Sequence, residues 1–262
     1  MASLTLYIYN LGIGNVFHNK GAIGAFVQMK ARNDNAPSSE IRSKSVKMLF
    51  VTAHMAAHVK NFEARDGDFW RIMTELEAQA PARFLPPRSE DSGGNVLLNH
   101  MDRIFFCGDL NYRVDLPREE AEHAVKEMLR LEEMGGQEAE LDRLRTLLLR
   151  HDQLKSTIAD RRAFPSFAEG KITFPPTFKF DKDTEDYDTS HKQRIPAWTD
   201  RVLFKPESTR VVEYDSVRKA MHSDHRPVHA TFRTASWGKI LPSKKKNGPE
   251  KRKRRVKKTK KS

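Results

Sequence analysis

Short apolar runs, separated by polar or glycine-containing segments, recur through the first half of the chain. They lie at residues 4–9, 22–29, 47–53 and 103–107. Runs of this length, bounded by loop-forming residues, are typical of β-strands. The run at 103–107 is short, apolar and bounded by Gly108, which predicts a buried strand.

A second pattern, with apolar residues three and four positions apart, predicts helices. It covers about residues 60–80 and, in a charged stretch broken at Gly135-Gly136, residues 116–149. Further strand-like runs follow at residues 172–174, 201–204, 210–214 and 228–232. Strands interspersed with helices predict an α/β fold built in layers rather than an all-β fold.

Composition narrows the class of protein. With 262 residues, 38% of them hydrophobic, the chain can form one large domain or two small ones. No apolar run approaches the roughly 18 residues that a membrane span needs, and the first residues lack the basic start of a signal peptide. Cys107, the single cysteine, excludes an internal disulfide and is typical of a reducing compartment. We therefore expect an intracellular protein.

Most of the net charge of +12 lies in one short segment. Residues 243–262 contain twelve lysines and arginines and one glutamate, or +11, which leaves +1 for residues 1–242. This segment has no apolar periodicity, and we expect a disordered polybasic tail after a nearly neutral domain. Such a tail can bind an anionic membrane surface or direct nuclear import. The expected location is therefore cytoplasmic and membrane-associated, or nuclear.

The string GDLN places Asp109 and Asn111 just after the buried strand. If the backbone is extended there, residues two apart point the same way. The carboxylate could then orient or deprotonate a water, and the amide could donate to phosphoryl oxygens. A tight Asp/Asn turn is an equally simple explanation of the same four residues.

A second cluster favours the chemical interpretation. Asp200 precedes the strand-like run at 201–204, and Asp224-His225 precede the run at 228–232. A carboxylate and an imidazole at neighbouring strand ends can form an Asp–His pair, in which the carboxylate fixes the tautomer and raises the basicity of the ring.

Histidines and cations occur at other junctions. His54 and His58 follow the run at 47–53 at a spacing that could place both on one helical face, but neither the HExxH pattern nor a cysteine ligand supports zinc. His54 alone, donating to a phosphate from a strand end, fits better. Lys179, Lys192 and Arg194 lie in one long loop, which suits a multiply phosphorylated ligand or, equally, a solvated surface.

Seven strings, taken in order, resemble those of the inositol polyphosphate 5-phosphatases, a branch of the deoxyribonuclease-I-like endonuclease/exonuclease/phosphatase superfamily. They are NKG (19–21), TAHMAAH (52–58), FFCGDLNYR (105–113), DQLK (152–155), TFPPTFKFD (173–181), RIPAWTDRVLF (194–204) and SDHRPV (223–228). GDLNYR and RIPAWTDR carry the resemblance, because GDxN and SDH also occur in relatives that cut nucleic acids.

The resemblance implies a layered β-sandwich flanked by helices, and magnesium-dependent removal of the 5-phosphate from inositol phosphates or phosphoinositides. Asp109 is expected to position or activate the attacking water. Asn111 and His54 are expected to stabilise the transferring phosphoryl group. His225, paired with Asp200, is expected to complete the acid/base machinery.

The remaining site residues implied by the resemblance bind metal or substrate. Asp224 is expected close to Mg²⁺ and Lys20 in a phosphate-facing loop, while Lys179, Lys192 and Arg194 are expected to hold the 4-phosphate. Phe178 stands where the family often has tyrosine, so that one hydrogen bond to the ring phosphate is lost. The family's earlier strands, with a glutamate that binds magnesium, have no counterpart before Asn19, and we expect a 5-phosphatase-like domain over residues 1–242 that lacks its N-terminal strands and exposes sheet edges.

Three alternatives stay open at this point. A non-catalytic phosphoinositide-binding remnant would keep the cations and the tail. A metal-dependent nuclease would use the same GDxN and SDH chemistry, although a nucleic acid is not the expected partner. Cys107 and Arg113 also have the Cys-x5-Arg spacing of cysteine-dependent phosphatases, but Asp109 would then repel the substrate.

Overall fold

The computed structural model describes residues 2–10, 20–30, 45–85 and 95–234 of the chain. The predicted tail at 243–262 lies outside the described residues. Within the described ranges the strands are β1 (Ala2–Asn10), β2 (Gly21–Lys30), β3 (Ser45–His54), β4 (Arg103–Asp109), β5 (Ala168–Glu169), β6 (Asp200–Phe204), β7 (Thr209–Ser216) and β8 (Val228–Thr234). The helices are α1 (Phe62–Gln79), α2 (Val96–His100), α3 (Arg118–Met134), α4 (Glu138–Arg150) and α5 (Gln153–Ala159).

The strands form two sheets. The larger has six strands in the order β1-β2-β3-β4-β6-β5, and β7 pairs with β8 in a second sheet. Neighbours in the larger sheet are antiparallel except β3 and β4, which run parallel. The predicted α/β class is therefore confirmed.

One face of the larger sheet packs on α1. The helix buries Phe69, Ile72, Met73 and Leu76 completely against the sheet, as its three- and four-residue spacing predicts. Gly24 of β2 belongs to this contact, because a Cβ built there would lie 2.4 Å from a Leu76 methyl carbon. The packing fixes β2 and β3, whose ends reach the candidate site.

A second core joins α3 and α4 to the loops that follow them. The leucines of these helices are buried at the positions where the sequence predicts core contacts, for example Leu131, Leu144 and Leu148. Trp198, fully buried, lies in the same core and donates from Nε1 to the carbonyl of Phe174 at 3.2 Å. The indole therefore fixes the backbone immediately before Asp200.

The other face of the larger sheet is partly open. Phe50 of β3 is 41% exposed and stacks on Phe105 of β4, and Phe105 in turn contacts Phe232 of β8. These rings border an apolar cleft of about 700 Å³ between the two sheets. The sequence predicts exposed sheet edges, but it does not predict this open apolar sheet face.

Some local expectations are wrong. Residues 172–174, predicted as a strand, have no strand pairing, although Ile172 and Phe174 are buried. Pro175 and Pro176 explain this, because they supply no N–H donors and restrict the preceding backbone. Helices α2 and α5 are too short for their periodicity to be visible in the sequence. None of the described helices has the length and apolar character of a membrane span.

Candidate active site

The strand register places three of the predicted side chains in one row. His54 is aligned with Asp109 across the parallel pair β3/β4, and Asp109 is aligned with Asp200 across the antiparallel pair β4/β6. Gly21, next to Lys20, is aligned with His54 on the other side. Strand pairing alone therefore brings together residues that are far apart in the sequence.

Gly108 allows this row to form. It has φ of +122°, and a Cβ on it would lie 2.2 Å from the carbonyl oxygen of Ala53. Only glycine permits this conformation together with so close an approach of the neighbouring strand. Any other residue at 108 would push apart the strand ends that carry His54 and Asp109.

Asp200 and His225 form the predicted pair. Nδ1 of His225 lies 2.6 Å from Oδ2 of Asp200, and the Thr199 hydroxyl donates to the same oxygen at 3.0 Å. An N–H at Nδ1 leaves Nε2 as the basic nitrogen of the neutral ring. Burial disfavours the imidazolium, but the hydrogen bond to Asp200 and the charges of Asp200, Asp109 and Asp224 outweigh burial and raise the pKa of His225 above its usual value.

His54 lies between a carboxylate and an ammonium group. Its Nε2 is 3.1 Å from Oδ2 of Asp109 and also contacts Nζ of Lys20. Nε2 can donate to the carboxylate or accept from the lysine, but not both at once. Burial lowers the pKa of Lys20, and the nearby Arg113 lowers it further, while Asp109 and Asp68 oppose the change.

His58 does not accompany His54. Strand β3 ends at His54 and residues 55–57 are not helical, so the two histidines do not share a helical face. The zinc arrangement considered from the sequence is therefore absent from this loop.

Asn111 occupies a tight turn rather than an extended strand. Its φ is +59°, beyond the end of β4, and its backbone N–H donates to Oδ1 of Asp109 at 3.1 Å. The expectation of extended geometry is wrong here, but the turn still brings Nδ2 to 3.0 Å from Oδ2 of Asp109. Nδ2 also donates to the carbonyl of Met55 at 3.1 Å, and Oδ1 accepts from Arg113. Asp109 and Asn111 therefore form a tight turn and also lie in the candidate site.

Asp109, Asp200 and His225 could hold a metal ion. One ligand atom from each lies within 4.8 Å of the other two. Mg²⁺ is commonly bound by one or two carboxylates together with waters and substrate phosphates. The two carboxylates, both only partly buried, match that donor set, and Asp200 also binds Nδ1 of His225. The site therefore fits a divalent cation held mainly by carboxylate oxygens.

Asp224, predicted close to the metal, lies outside this group of three. Its Oδ2 forms an ion pair of 2.7 Å with Nζ of Lys179. Burial opposes ionisation, but the hydrogen bond from Lys179 and the charges of His225 and Lys179 lower the pKa of Asp224. Lys179 is thus held by a carboxylate that an anionic ligand would have to displace or share.

The other two predicted cations are not engaged in the same way. Among the described residues, neither the Lys192 ammonium nor the Arg194 guanidinium has a hydrogen bond or an ion pair. The loop that carries them is fixed through its backbone, because Asp188 accepts the N–H of Arg194 at 2.7 Å and Arg118 donates to the Arg194 carbonyl at 2.9 Å. The loop is ordered while its cationic side chains remain available.

Phe178 packs against the catalytic candidates. The centroid of the Phe178 ring lies 4.7 Å from that of the His225 ring. The Arg113 guanidinium lies 4.4 Å from the centroid of the Phe178 ring. The ring is 7% exposed, so it supports the imidazole and offers no polar group to a ligand.

Cys107 lacks the environment of a nucleophile. It lies within β4, and burial raises the pKa of its thiol, only partly offset by a hydrogen bond with Thr52. Arg113 is bound to Asn111 instead of facing the sulfur. A protonated thiol without a cationic partner does not support the cysteine-dependent mechanism.

The sequence does not predict Thr199 or Asp188 as site residues, and it suggests Arg113 only through the Cys-x5-Arg spacing. Thr199 is fully buried, and its carbonyl accepts the N–H of Leu110 at 2.8 Å while its hydroxyl binds Asp200. Thr199 and Arg113 lie inside the two distinctive strings, RIPAWTDR and GDLNYR, and this position could have identified them. Asp188 is followed two residues later by a serine, a pattern that is typical of a turn.

Comparison with known proteins shows the family of the chain. The family model described as Endonuclease/Exonuclease/phosphatase family 2 matches residues 3–231. The chain is 32% identical over 210 residues to the type II inositol 1,4,5-trisphosphate 5-phosphatase of Mus musculus, covering 80% of this chain and 19% of the relative. It is 35% identical over 221 residues to inositol-1,4,5-trisphosphate 5-phosphatase 1 of Schizosaccharomyces pombe, covering 84% of this chain and 16% of the relative.

A solved structure gives the same answer for the fold. The inositol polyphosphate 5-phosphatase domain of SPsynaptojanin, in complex with inositol (1,4)-bisphosphate and calcium, matches with a TM-score of 0.62 and 31% identity. The match covers 88% of this chain and 54% of that domain. The chain thus spans about half of the solved domain and less than a fifth of the two curated relatives. By its sequence and its layered fold, the chain belongs to endonuclease/exonuclease/phosphatase family 2, with the inositol polyphosphate 5-phosphatases as its relatives.

Proposed function

We propose that this chain carries the site of a phosphomonoester hydrolase that removes the 5-phosphate from inositol polyphosphates or phosphoinositides with the help of Mg²⁺. The observation that carries the proposal is the convergence of Asp109, Asp200 and His225 within 4.8 Å, with His54 beside Asp109. Phosphoryl transfer needs little more than a positioned water, proton transfer and stabilisation of developing charge.

The carboxylates and histidines divide these tasks. Asp109 accepts a proton from the attacking water or orients it, and contacts with His54 and Asn111 fix the position of its carboxylate. Asp200 holds the ring of His225, whose raised pKa favours a protonated imidazole beside a phosphate. A Mg²⁺ bound by Asp109 and Asp200 would neutralise charge on the phosphoryl oxygens. Lys20 and His54, which contact each other beside Asp109, bind the phosphoryl group.

Selectivity for a ring bearing a second phosphate rests on the loop cations. Lys179, Lys192 and Arg194 lie in the loop that follows Phe178 and precedes Asp200. Lys179 is close to the acid/base pair through Asp224, which itself adjoins His225. A 4-phosphate next to the scissile 5-phosphate would meet these charges.

Phosphate release from inositol 1,4,5-trisphosphate by the purified chain tests the proposal directly. We expect release that depends on added Mg²⁺ and stops with a chelator. Inositol 1,4-bisphosphate, which lacks the 5-phosphate, should release none. The variant Asp109→Asn should lose activity by at least about 10²-fold. The control variant Lys182→Met, at an exposed lysine of the loop that carries Lys179, should keep its activity. Equal release from both substrates would refute 5-phosphate specificity.

Two other functions predict different results in this experiment. A non-catalytic phosphoinositide-binding remnant would bind vesicles containing phosphatidylinositol 4,5-bisphosphate without releasing phosphate. A nuclease would cut DNA under the same conditions.

The polybasic segment at 243–262 supports a lipid substrate, because twelve cations can attract an anionic surface. Comparing turnover of the lipid in vesicles with turnover of the soluble trisphosphate, with and without residues 243–262, separates the two substrate sources.

A further inference from the structure

Arg113 is a buried cation between two parts of the candidate site. Only 6% of the residue is exposed. Its Nε donates to the backbone carbonyl of Asn111 at 3.0 Å, and one terminal nitrogen donates to Oδ1 of the same residue. Its guanidinium also lies on the ring of Phe178, which packs on His225. Arg113 therefore contacts the turn that carries Asn111 and the ring that supports His225.

The chemistry of these contacts fixes the orientation of the Asn111 amide. A guanidinium has only donors, so the amide end that faces Arg113 must be the oxygen. The other end then presents both N–H groups towards two acceptors, the carbonyl of Met55 and Oδ2 of Asp109. If the amide were rotated by 180°, oxygen would face the Asp109 carboxylate and nitrogen would face the guanidinium, and both contacts would be repulsive.

The same guanidinium stabilises the backbone of the turn. Asn111 has a left-handed conformation, which is uncommon for residues other than glycine and is best tolerated by asparagine and aspartate. The bond from Nε of Arg113 to the Asn111 carbonyl holds that conformation. Arg113 is itself anchored, because its N–H donates to Oε1 of Gln153 at 3.0 Å.

Arg113 keeps its charge in this position. Burial lowers its pKa to about 10, with Asp109 and Asp200 opposing the change and Arg65 and Arg194 adding to it. Within the described residues it forms no ion pair with a carboxylate at 4.0 Å or less. Its close polar contacts are to neutral groups, of which Asn111 supplies two.

We propose that Arg113 is a positioning residue that acts through Asn111, fixing the amide so that one of its N–H groups faces Asp109, the residue proposed to position the attacking water, and the other faces the carbonyl of Met55. This role rests on the proposed phosphatase function for its kinetic consequence, but the arrangement of the amide does not depend on turnover. The competing role for a buried arginine at this place is direct contact with the substrate phosphate. The two roles differ in the kinetic constant that they affect.

A double-mutant cycle between Arg113 and Asn111 tests the proposal. Asn111→Gly removes the amide but permits the left-handed backbone, and Arg113→Met removes the fork at similar volume. We expect each single variant to lower kcat by about 10²-fold with KM changed by less than about threefold. In the double variant, the loss should be within about twofold of that in N111G alone. Arg113→Lys, which keeps a donor without the fork, should be intermediate.

The controls separate positioning from general damage. Arg145→Met removes another buried arginine, on α4 and bonded to Asp142 at 3.3 Å, and should leave both kinetic constants unchanged. Multiplying losses in the double variant would overturn the proposal, since Arg113 would then act independently of Asn111. A rise in KM alone would overturn it in favour of direct substrate contact.

Nuclear magnetic resonance decides the question even if the chain releases no phosphate. With asparagine labelled selectively with ¹⁵N, the Asn111 side-chain signals are identified by their loss in N111G. We expect these signals to shift and their hydrogen exchange to accelerate in R113M and R113K but not in R145M. Unchanged Asn111 signals in both Arg113 variants would refute the positioning role independently of any activity.

Discussion

Asp109 of β4 and Asp200 of β6 face each other across an antiparallel strand pair, and the side chain of Asp200 holds Nδ1 of His225 at 2.6 Å. The same position of β4 is aligned with His54 of β3 in a parallel pair. The candidate site is therefore built on strand register, with the loops adding His225 and the cations. This rigid base is suited to phosphoryl transfer, where accurate placement provides much of the catalysis.

Asp200→Asn should change the titration of His225. The charge and hydrogen bond of Asp200 raise the pKa of His225 against burial, so removing that charge should lower it. We expect an NMR titration in metal-free buffer to show the fall in the variant. Asp183→Asn, which breaks the exposed pair with His222, should leave the His225 titration unchanged. An identical His225 titration in D200N would contradict this account of the pair.

The same pair should make stability depend on pH. Because the folded pKa of His225 is raised, its contribution to the free energy of unfolding is fully present below the unfolded pKa of about 6.5 and is lost as the pH rises through the folded value. Urea unfolding of the metal-free chain at several pH values should show this loss in the wild type and a smaller one in D200N.

Lys179→Met should weaken binding of a substrate with a 4-phosphate. Lys179 is paired with Asp224, the residue before His225, and its loss removes one charge-assisted contact. We expect KM for inositol 1,4,5-trisphosphate to rise by about tenfold, with kcat changed much less. The matched variant Lys182→Met alters an exposed lysine of the same loop and should have no effect. Equal effects of the two substitutions would indicate general attraction by the loop.

Cys107→Ser should retain phosphatase activity. The thiol lies in β4 with a raised pKa and no cationic partner, so it is not a nucleophile at neutral pH. The change should alter kcat by less than about threefold. Complete loss of turnover in a folded variant, judged by its circular dichroism, would revive the cysteine-dependent mechanism.

Arg201→Met should destabilise the fold. The Arg201 side chain is fully buried and bonds to both Asp152 and Glu169, at 2.9 and 2.6 Å. Removing the guanidinium leaves two buried carboxylates with less positive charge to compensate them, which typically costs about 3–5 kcal/mol. Urea denaturation should show this loss, while Arg143→Ala, in an exposed pair with Glu140, should leave the free energy of unfolding unchanged within error. A loss as small as that of R143A would contradict the importance of the buried network.

The sequence was informative where chemistry and strand ends coincide. The runs before His54 and Asp109, and the run after Asp200, predict strands that end or begin at polar residues, and the structure has them there. Such runs do not specify the strand register, because an apolar strand can pair with its neighbour at several offsets. The alignment of His54, Asp109 and Asp200 therefore required the three-dimensional structure.

Turns were harder to predict than strands. Asn111 was expected in extended geometry, but the strand ends at Asp109 and a left-handed residue follows. The orientation of its amide depends on Arg113 and Met55, one after it and one from another strand end. Contacts of this kind combine local conformation with distant partners, and neither periodicity nor spacing reveals them.

Binding of Mn²⁺, a paramagnetic substitute for Mg²⁺, tests the central claim most directly, because the ion broadens NMR signals of nearby nuclei. His54 and His225 are far apart in the sequence, yet both lie beside the Asp109–Asp200 row. With labelled histidines, we predict that the first additions of Mn²⁺ broaden the ring signals of His54 and His225 together, and that Asp109→Asn weakens both effects. The exposed His123 on α3 should remain sharp. Broadening of only one of the two rings, or of all histidines alike, would contradict a single site at this row.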